Sequence, residues 1–250
     1  MPDGARRFVI YAQGRTGSHL LMNLLTSHPE LECAGEVLNR ERWPGLWSTA
    51  RRAALRLPEI YLPWRARAAS HRVWGCKVPI ATAATGLARL QAAGWCMLFL
   101  QRRSVFDRAL SWCVASLTGQ FQRPADDRRE PLAMPVTVPE TMFRRQLAFR
   151  TAWDERSQRV MAAIPHVPLF FEDHLADPAR WRATSTILQQ HLGLPACDVS
   201  VTSRRAFDRS YAEVVTNHDL LRHIADEYAN AYAYAPVADR SASTGSGSRA

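Results

Sequence analysis

One stretch near the N-terminus restricts the fold more than any other. A short apolar run, Phe8 to Ala12, empties into Gln13-Gly14-Arg15-Thr16-Gly17-Ser18-His19, and Leu20, Leu21, Leu24 and Leu25 then recur at helical spacing. The run is rich in β-branched and aromatic residues, as a buried strand is, and His28-Pro29 stops the helical pattern. Strand, glycine loop and helix follow one another within about twenty residues, the opening of a β-α unit.

The rest of the chain repeats the alternation. Trp74 to Val78 reads as a strand, followed by a helix from Ala81 to Ala93 that ends at Gly94. Trp95 to Gln101 is the clearest buried strand, and Val105 to Leu117 is helical after it. Further on come a helix over roughly Pro139 to Ala163, a strand at Val167 to Phe171, and helices at Ala179 to Leu192 and Asn217 to Tyr234. Strands separated by helices of this length predict an α/β protein, a three-layer sandwich around a central, mostly parallel sheet. Residues 1–235 are expected to form a single domain. Two stretches do not fit the sheet and read as insertions: 40–72, rich in arginine and tryptophan, and 118–139, rich in proline and charge and suited to a lid. Residues 236–250 read as a flexible tail.

Composition narrows the class. With 250 residues, 47% hydrophobic and 22% charged, the chain can bury a core and is not globally disordered. No apolar run is long enough for a membrane-spanning helix, and the start lacks a signal-peptide core, so a cytoplasmic location is expected. Cys33, Cys76, Cys96, Cys113 and Cys197 are scattered, which fits buried thiols in a reducing compartment better than a disulfide framework or a zinc site. The formal charge is +9, and Lys77 is the only lysine among 32 basic residues. Such a charge invites polyanions, but the arginines are spread out rather than blocked, which argues against nucleic acid.

The glycine loop is a natural anion site. The first backbone N–H groups of a helix lack internal partners and face the loop at the positive end of the helix dipole. Gly14 and Gly17 allow close approach of the backbone, and Arg15, Thr16, Ser18 and His19 can add donors. The spacing is neither that of a Walker loop nor G-x-G-x-x-G. A second anion site is suggested where the strand Cys96 to Gln101 ends in Arg102-Arg103, with Ser111 eight residues after Arg103 in the following helix. Open α/β sheets bind ligands at this edge.

Together these residues resemble the sulfotransferases that use 3'-phosphoadenosine 5'-phosphosulfate (PAPS). The family's P-loop-like 5'-phosphosulfate loop has Pro or Gly, a basic residue, Ser or Thr, Gly, then Ser or Thr, which Gly14 to Ser18 matches. Its 3'-phosphate motif, a strand with Arg and a Ser eight residues on, matches Arg103 and Ser111. A late landmark looks like Phe171-Glu172-Asp173-His174-Leu175-Ala176-Asp177-Pro178. The likeness spans about residues 8 to 235 and is similar to the bacterial carbohydrate and glycolipid branch, the trehalose and Nod-factor types. It implies a cytoplasmic enzyme that moves a sulfuryl group from PAPS to a hydroxyl of a small acceptor, with adenosine 3',5'-bisphosphate as product and no metal. The rival readings are a nucleotide-dependent kinase of related fold and a non-catalytic polyanion binder.

The resemblance also implies roles. Gly14, Arg15, Thr16, Gly17, Ser18 and His19 would bind the phosphosulfate, and Arg103 and Ser111 the 3'-phosphate. Arg204 and Arg205 would close on the nucleotide. Glu36, in Gly35-Glu36-Val37, is the candidate base, with His19 as the alternative. Arg15 and Lys77 are the further catalytic candidates, Lys77 standing where the family places a lysine. The insertion 40–72 suits stacking on sugar rings, a lipid-facing helix, or equally a cover helix whose tryptophans pack on the core. Expected partners are a small-molecule hydroxyl acceptor and no nucleic acid, with a membrane surface or lipid-linked acceptor and a homodimer as further options.

Overall fold

The computed structural model of the chain describes residues 6–38, 47–121, 135–198 and 210–234. Arg204, Arg205, the tail 236–250 and most of the expected lid lie outside the described residues. The chain falls into two compact units, Met1–Arg103 with Ser157–Thr202, and Ser104–Arg156 with Ser203–Ala250.

The first unit carries the sheet. Its strands are β1 (Arg6–Ala12), β2 (Leu31–Glu36), β3 (Val73–Val78), β4 (Cys96–Gln101) and β5 (Val167–Phe170), in the order β2-β3-β1-β4-β5. Every pairing is parallel, so the protein is an α/β fold around an all-parallel sheet. The C-terminal ends of all five strands therefore lie along one edge. The chain visits β2 and β3 on one side of β1 and then crosses to β4 on the other, so the loop after β1 lies where the strand order reverses.

Both faces of the sheet are covered, as a parallel sheet requires. Phe8, Ile10, Ala12, Leu98, Leu100 and Leu169 form one core with Leu21, Leu24 and Leu25 of helix α1 (Ser18–Thr26) and with Leu188 and Leu192 of α8 (Trp181–His191). Successive side chains alternate, and Val9, Tyr11, Cys76, Val78, Met97 and Phe99 are buried on the other face. There Tyr11 and Phe99 lie 5.9 Å apart between ring centroids, and Tyr11 donates to the Ile80 carbonyl at 3.0 Å.

The 40–72 insertion holds α2 (Trp47–Arg56) and α3 (Pro58–Ala66), followed after β3 by α4 (Ala84–Ala92). Strand β2 was not among the expected elements. Its sequence, Leu-Glu-Cys-Ala-Gly-Glu, carries two glutamates in six residues and forms a strand at the sheet edge by pairing with β3. After β5 the chain turns at once into the single-turn helix α7 (Phe171–His174) and a 3-10 turn, Pro178–Arg180, so the expected strand ends one residue early.

The second unit contains α5 (Val105–Thr118), most of α6 (Glu140–Ala162), α9 (Tyr211–Val214) and α10 (His218–Tyr234). Phe106, Leu110, Val114, Phe143, Leu147, Leu221 and Ile224 form its core. A part-buried ion pair lies in that unit. Arg108, 1% exposed, donates from Nη1 to Asp154 Oδ1 at 2.7 Å, and its Nη2 donates to Oδ2.

Candidate active site

The glycine loop joins β1 to α1 within the first unit. Thr16, 1% exposed, donates from Oγ1 to the Gln13 carbonyl at 2.9 Å and closes the turn. Its hydroxyl thus shapes the loop. Arg15 has φ 69, the one described non-glycine residue in the left-handed region, and Gly17 follows at φ 86. Gly17 caps α1 without any side-chain hydrogen bond to the helix N-terminus. The donors there face the loop unscreened by a capping side chain, which fits an anionic group. Ser18 opens the helix and is buried, and His19 lies beside it at the surface.

Gly17 also has a packing reason. A Cβ there would stand 2.5 Å from Phe171 Cδ2, so the loop lies directly against α7.

Lys77 and Glu36 meet at the same sheet edge. By alternation Lys77 shares the face of Val73 and Gly75, the α1 side, and it is 6% exposed. Glu36 pairs with it in register, just after an irregularity between Cys33 and Glu36 where Gly35 takes φ 70. The slip turns the Glu36 carboxylate onto Lys77, whose Nζ donates to Oε1. His19 feels both. Surrounding protein atoms disfavour its imidazolium most, the Lys77 ammonium adds to this, Glu36 opposes it and Arg15 reinforces it; the net effect lowers its pKa below the ordinary 6.5. Arg15, His19, Glu36 and Lys77 are thus electrostatically coupled.

Arg103 lies on the other side of β1, just past β4. Its backbone N–H donates to Glu172 Oε1 at 3.0 Å, and its guanidinium forms a fork with Asp173 at 2.7 and 2.5 Å. The same guanidinium stacks on Phe170 at 4.4 Å, while Arg102 stacks on Phe171 at 4.7 Å. The fork holds the Asp173 carboxyl below its usual range. Asp173 and Glu172 were quoted in the sequence landmark without a role, because an ion pair across seventy residues leaves no local pattern.

Helix α7 therefore touches both the glycine loop, through Phe171 at Gly17, and Arg103, through its two carboxylates. It is itself tied to α8 and the preceding turn, since Arg180 donates to the Asp173 carbonyl at 3.1 Å and Thr184 to that of His174 at 2.9 Å.

Ser111 is buried in α5, in the second unit. Among the described residues no group of three or more His, Cys, Asp or Glu side chains could hold a metal ion, and no helix is long and apolar enough to cross a membrane.

No model of a known protein family matches the chain. It is similar to nodulation protein H of Rhizobium tropici, 31% identical over 234 residues that span 87% of this chain and 89% of that protein. Nodulation protein H of Rhizobium meliloti is 29% identical over 236 residues, 88% of this chain and 92% of that one. Among solved structures, a sulfotransferase from Alicyclobacillus acidocaldarius has a TM-score of 0.46 at 16% identity, over 88% of this chain and 96% of that one. Shikimate kinase from Bacteroides thetaiotaomicron has a TM-score of 0.45 at 14% identity, over 76% and 99%. The identity to the Rhizobium tropici protein runs through nearly the whole of both chains, and on that ground this chain belongs to the nodulation protein H family and is a sulfotransferase.

Proposed function

We propose that the sulfuryl donor is PAPS, that the acceptor is a hydroxyl of a carbohydrate or glycolipid, and that the two anion sites flanking β1 divide the donor between them. The observation that carries this reading is the uncapped N-terminus of α1 at the strand-order reversal, with the Arg15–His19–Glu36–Lys77 cluster on one side and Arg103 on the other. The loop amides from Gly14 to His19 and the Arg15 side chain bind the 5'-phosphosulfate and stabilise charge as it develops on the leaving phosphate. Arg103 receives the 3'-phosphate, for which its planar fork is suited, and Ser111 is assigned to that phosphate on the resemblance alone. Arg204 and Arg205, outside the described residues, are assigned to nucleotide closure on the resemblance alone.

Glu36 takes the acceptor proton, and His19, neutral near pH 7, is the alternative base. Lys77 orients the Glu36 carboxylate and lies where it can neutralise charge on the transferring group. In the transfer the bond between sulfur and the phosphate oxygen breaks, a bond from sulfur to the acceptor oxygen forms, and the proton moves to the carboxylate. The products are the sulfate ester and adenosine 3',5'-bisphosphate. We also assign the enzyme to the cytoplasm, a reading supported by five cysteines that are all free.

The test is thermal shift with adenosine 3',5'-bisphosphate, with ATP-magnesium and with an oligonucleotide, followed by an acceptor screen with labelled PAPS. Stabilisation by the bisphosphate alone supports the donor. A response to ATP-magnesium equal to or above that to the bisphosphate defeats it.

A further inference from the structure

We propose that the outer face of α3 docks on an anionic lipid bilayer. The helix buries Pro58, Leu62 and Ala66, spaced four residues apart, so its opposite side looks outward. On that side Leu57, Ile60 and Trp64 are 44%, 64% and 60% exposed. Spacings of three and four residues put them on one stripe, and Tyr61 extends it, its ring 6.0 Å from that of Trp64. A contiguous apolar stripe left in water marks a surface for something else.

Charge identifies the occupant. At 100° per residue Arg65 borders the stripe on one side and Arg67 on the other, Arg56 ends the preceding helix just before Leu57, and all three are exposed. Between Trp47 and Arg72 the sequence has one acidic residue, Glu59, and its carboxylate is 14% exposed and held by Arg89 at 2.7 Å. The face is thus apolar along its middle and cationic along both borders, with no exposed acid of its own segment to balance it. A second copy of the chain would bring the same arginines against each other. A neutral apolar surface would leave them without counter-ions. An anionic bilayer meets both needs: Leu57 and Ile60 enter the acyl boundary, the Trp64 indole lies at headgroup depth, and the guanidiniums pair with lipid phosphates. This surface would hold the enzyme where lipid-linked molecules are, yet its existence does not depend on which donor the enzyme uses.

The experiment is co-sedimentation of the full chain with phosphatidylcholine vesicles containing about 30% phosphatidylglycerol, and with pure phosphatidylcholine vesicles. The expected result is binding to the anionic vesicles with a blue shift of tryptophan emission, weakening as salt rises. Trp64→Ser with Ile60→Ser should lower binding at least tenfold. Arg56→Gln with Arg67→Gln should lower it by roughly fivefold per charge removed. Each variant is to be checked for an unchanged melting temperature and unchanged bisphosphate binding, because all four side chains lie on the outside. Equal binding to neutral vesicles, undiminished binding by the Trp64/Ile60 variant, or no vesicle binding alongside concentration-dependent dimerisation would each overturn the proposal. A chain that binds vesicles but ignores the bisphosphate would reject the donor assignment and leave this surface standing.

Discussion

Lys77 and Glu36 face each other across adjacent parallel strands, and the ammonium of the chain's single lysine donates to a carboxylate that β2 presents only because its register slips beside Gly35. Removing the negative partner while keeping its shape separates chemistry from architecture. Glu36→Gln is expected to lower kcat by about a hundredfold or more, in the range a positioned general base contributes. The dissociation constant for adenosine 3',5'-bisphosphate should change by less than about threefold, since nucleotide binding does not involve that proton. Turnover within a few-fold of the unmodified enzyme would remove Glu36 from the role and leave His19.

Arg103 gives the second prediction. Arg103→Ala removes a charged fork, and losing such a hydrogen bond costs roughly 1.5–3 kcal/mol. Affinity for adenosine 3',5'-bisphosphate should therefore fall by about ten- to a hundredfold. Affinity for adenosine 5'-phosphate, which has nothing to offer that side chain, should hardly move. Titration calorimetry with the two nucleotides distinguishes a 3'-phosphate contact from general loss of charge. Asp173→Asn should act in the opposite sense, because the carboxylate competes for the same guanidinium.

Two glycines three residues apart should behave differently. Gly17→Ala places a methyl group 2.5 Å from the Phe171 ring at φ 86, and both the clash and the left-handed backbone oppose it. A loss of about 2 kcal/mol or more is expected, from roughly 1–2 kcal/mol of backbone strain plus the displaced ring. Gly14 has no atom within 4 Å of the added carbon, and Gly14→Ala should cost under about 1 kcal/mol. Chemical denaturation of both variants checks the contrast, and Phe171→Leu should partly restore Gly17→Ala.

The pH dependence of stability follows from His19. Its folded-state pKa is lowered, so in acid the unfolded chain takes up a proton that the folded chain resists, and stability falls as pH drops below the ordinary value of 6.5. The loss levels off once the pH is under the folded pKa. His19→Gln removes that proton uptake, so its melting temperature should fall less between neutral pH and pH of about 5 than that of the unmodified protein. Parallel curves for the two proteins would contradict the assignment.

The Arg108–Asp154 pair of the second unit is a further stability test. Asp154→Ala leaves Arg108, 1% exposed, as an uncompensated charge, which costs about 3–5 kcal/mol. Arg108→Met combined with Asp154→Leu should recover most of the loss in a denaturation series, because an apolar pair of similar volume avoids the desolvation of both ions.

Much of this architecture was legible from residues that carry their signal locally. Strands β1 and β4 are buried on both faces, so they read as unbroken apolar runs, and the loop between β1 and α1 announces itself by its glycines. The edge strand β2 has Glu32 and Glu36 in six residues and was hidden because its pairing with β3, rather than its composition, makes it a strand. Lys77 stood out through composition and through its place in the resembled family's pattern. Its contact with Glu36 depends on a register slip that no spacing encodes. Asp173 and Glu172 could be quoted as a landmark, but their hold on Arg103 joins segments that only the sheet brings together.

The all-parallel order has a metrical consequence. Glu36, Lys77, the glycine loop and Arg103 each hang from the end of a different strand, β2, β3, β1 and β4, which are consecutive in the sheet. Neighbouring strands stand about 4.8 Å apart, so the sheet edge acts as a ruler with fixed graduations. The span from Lys77 to the start of the Arg103 turn is two graduations, or roughly 10 Å. That span is rigid because changing it would mean breaking the ladder of backbone hydrogen bonds on either side of β1. Insertions between the strands can remodel what lies above the ruler while the distance between its marks stays the same.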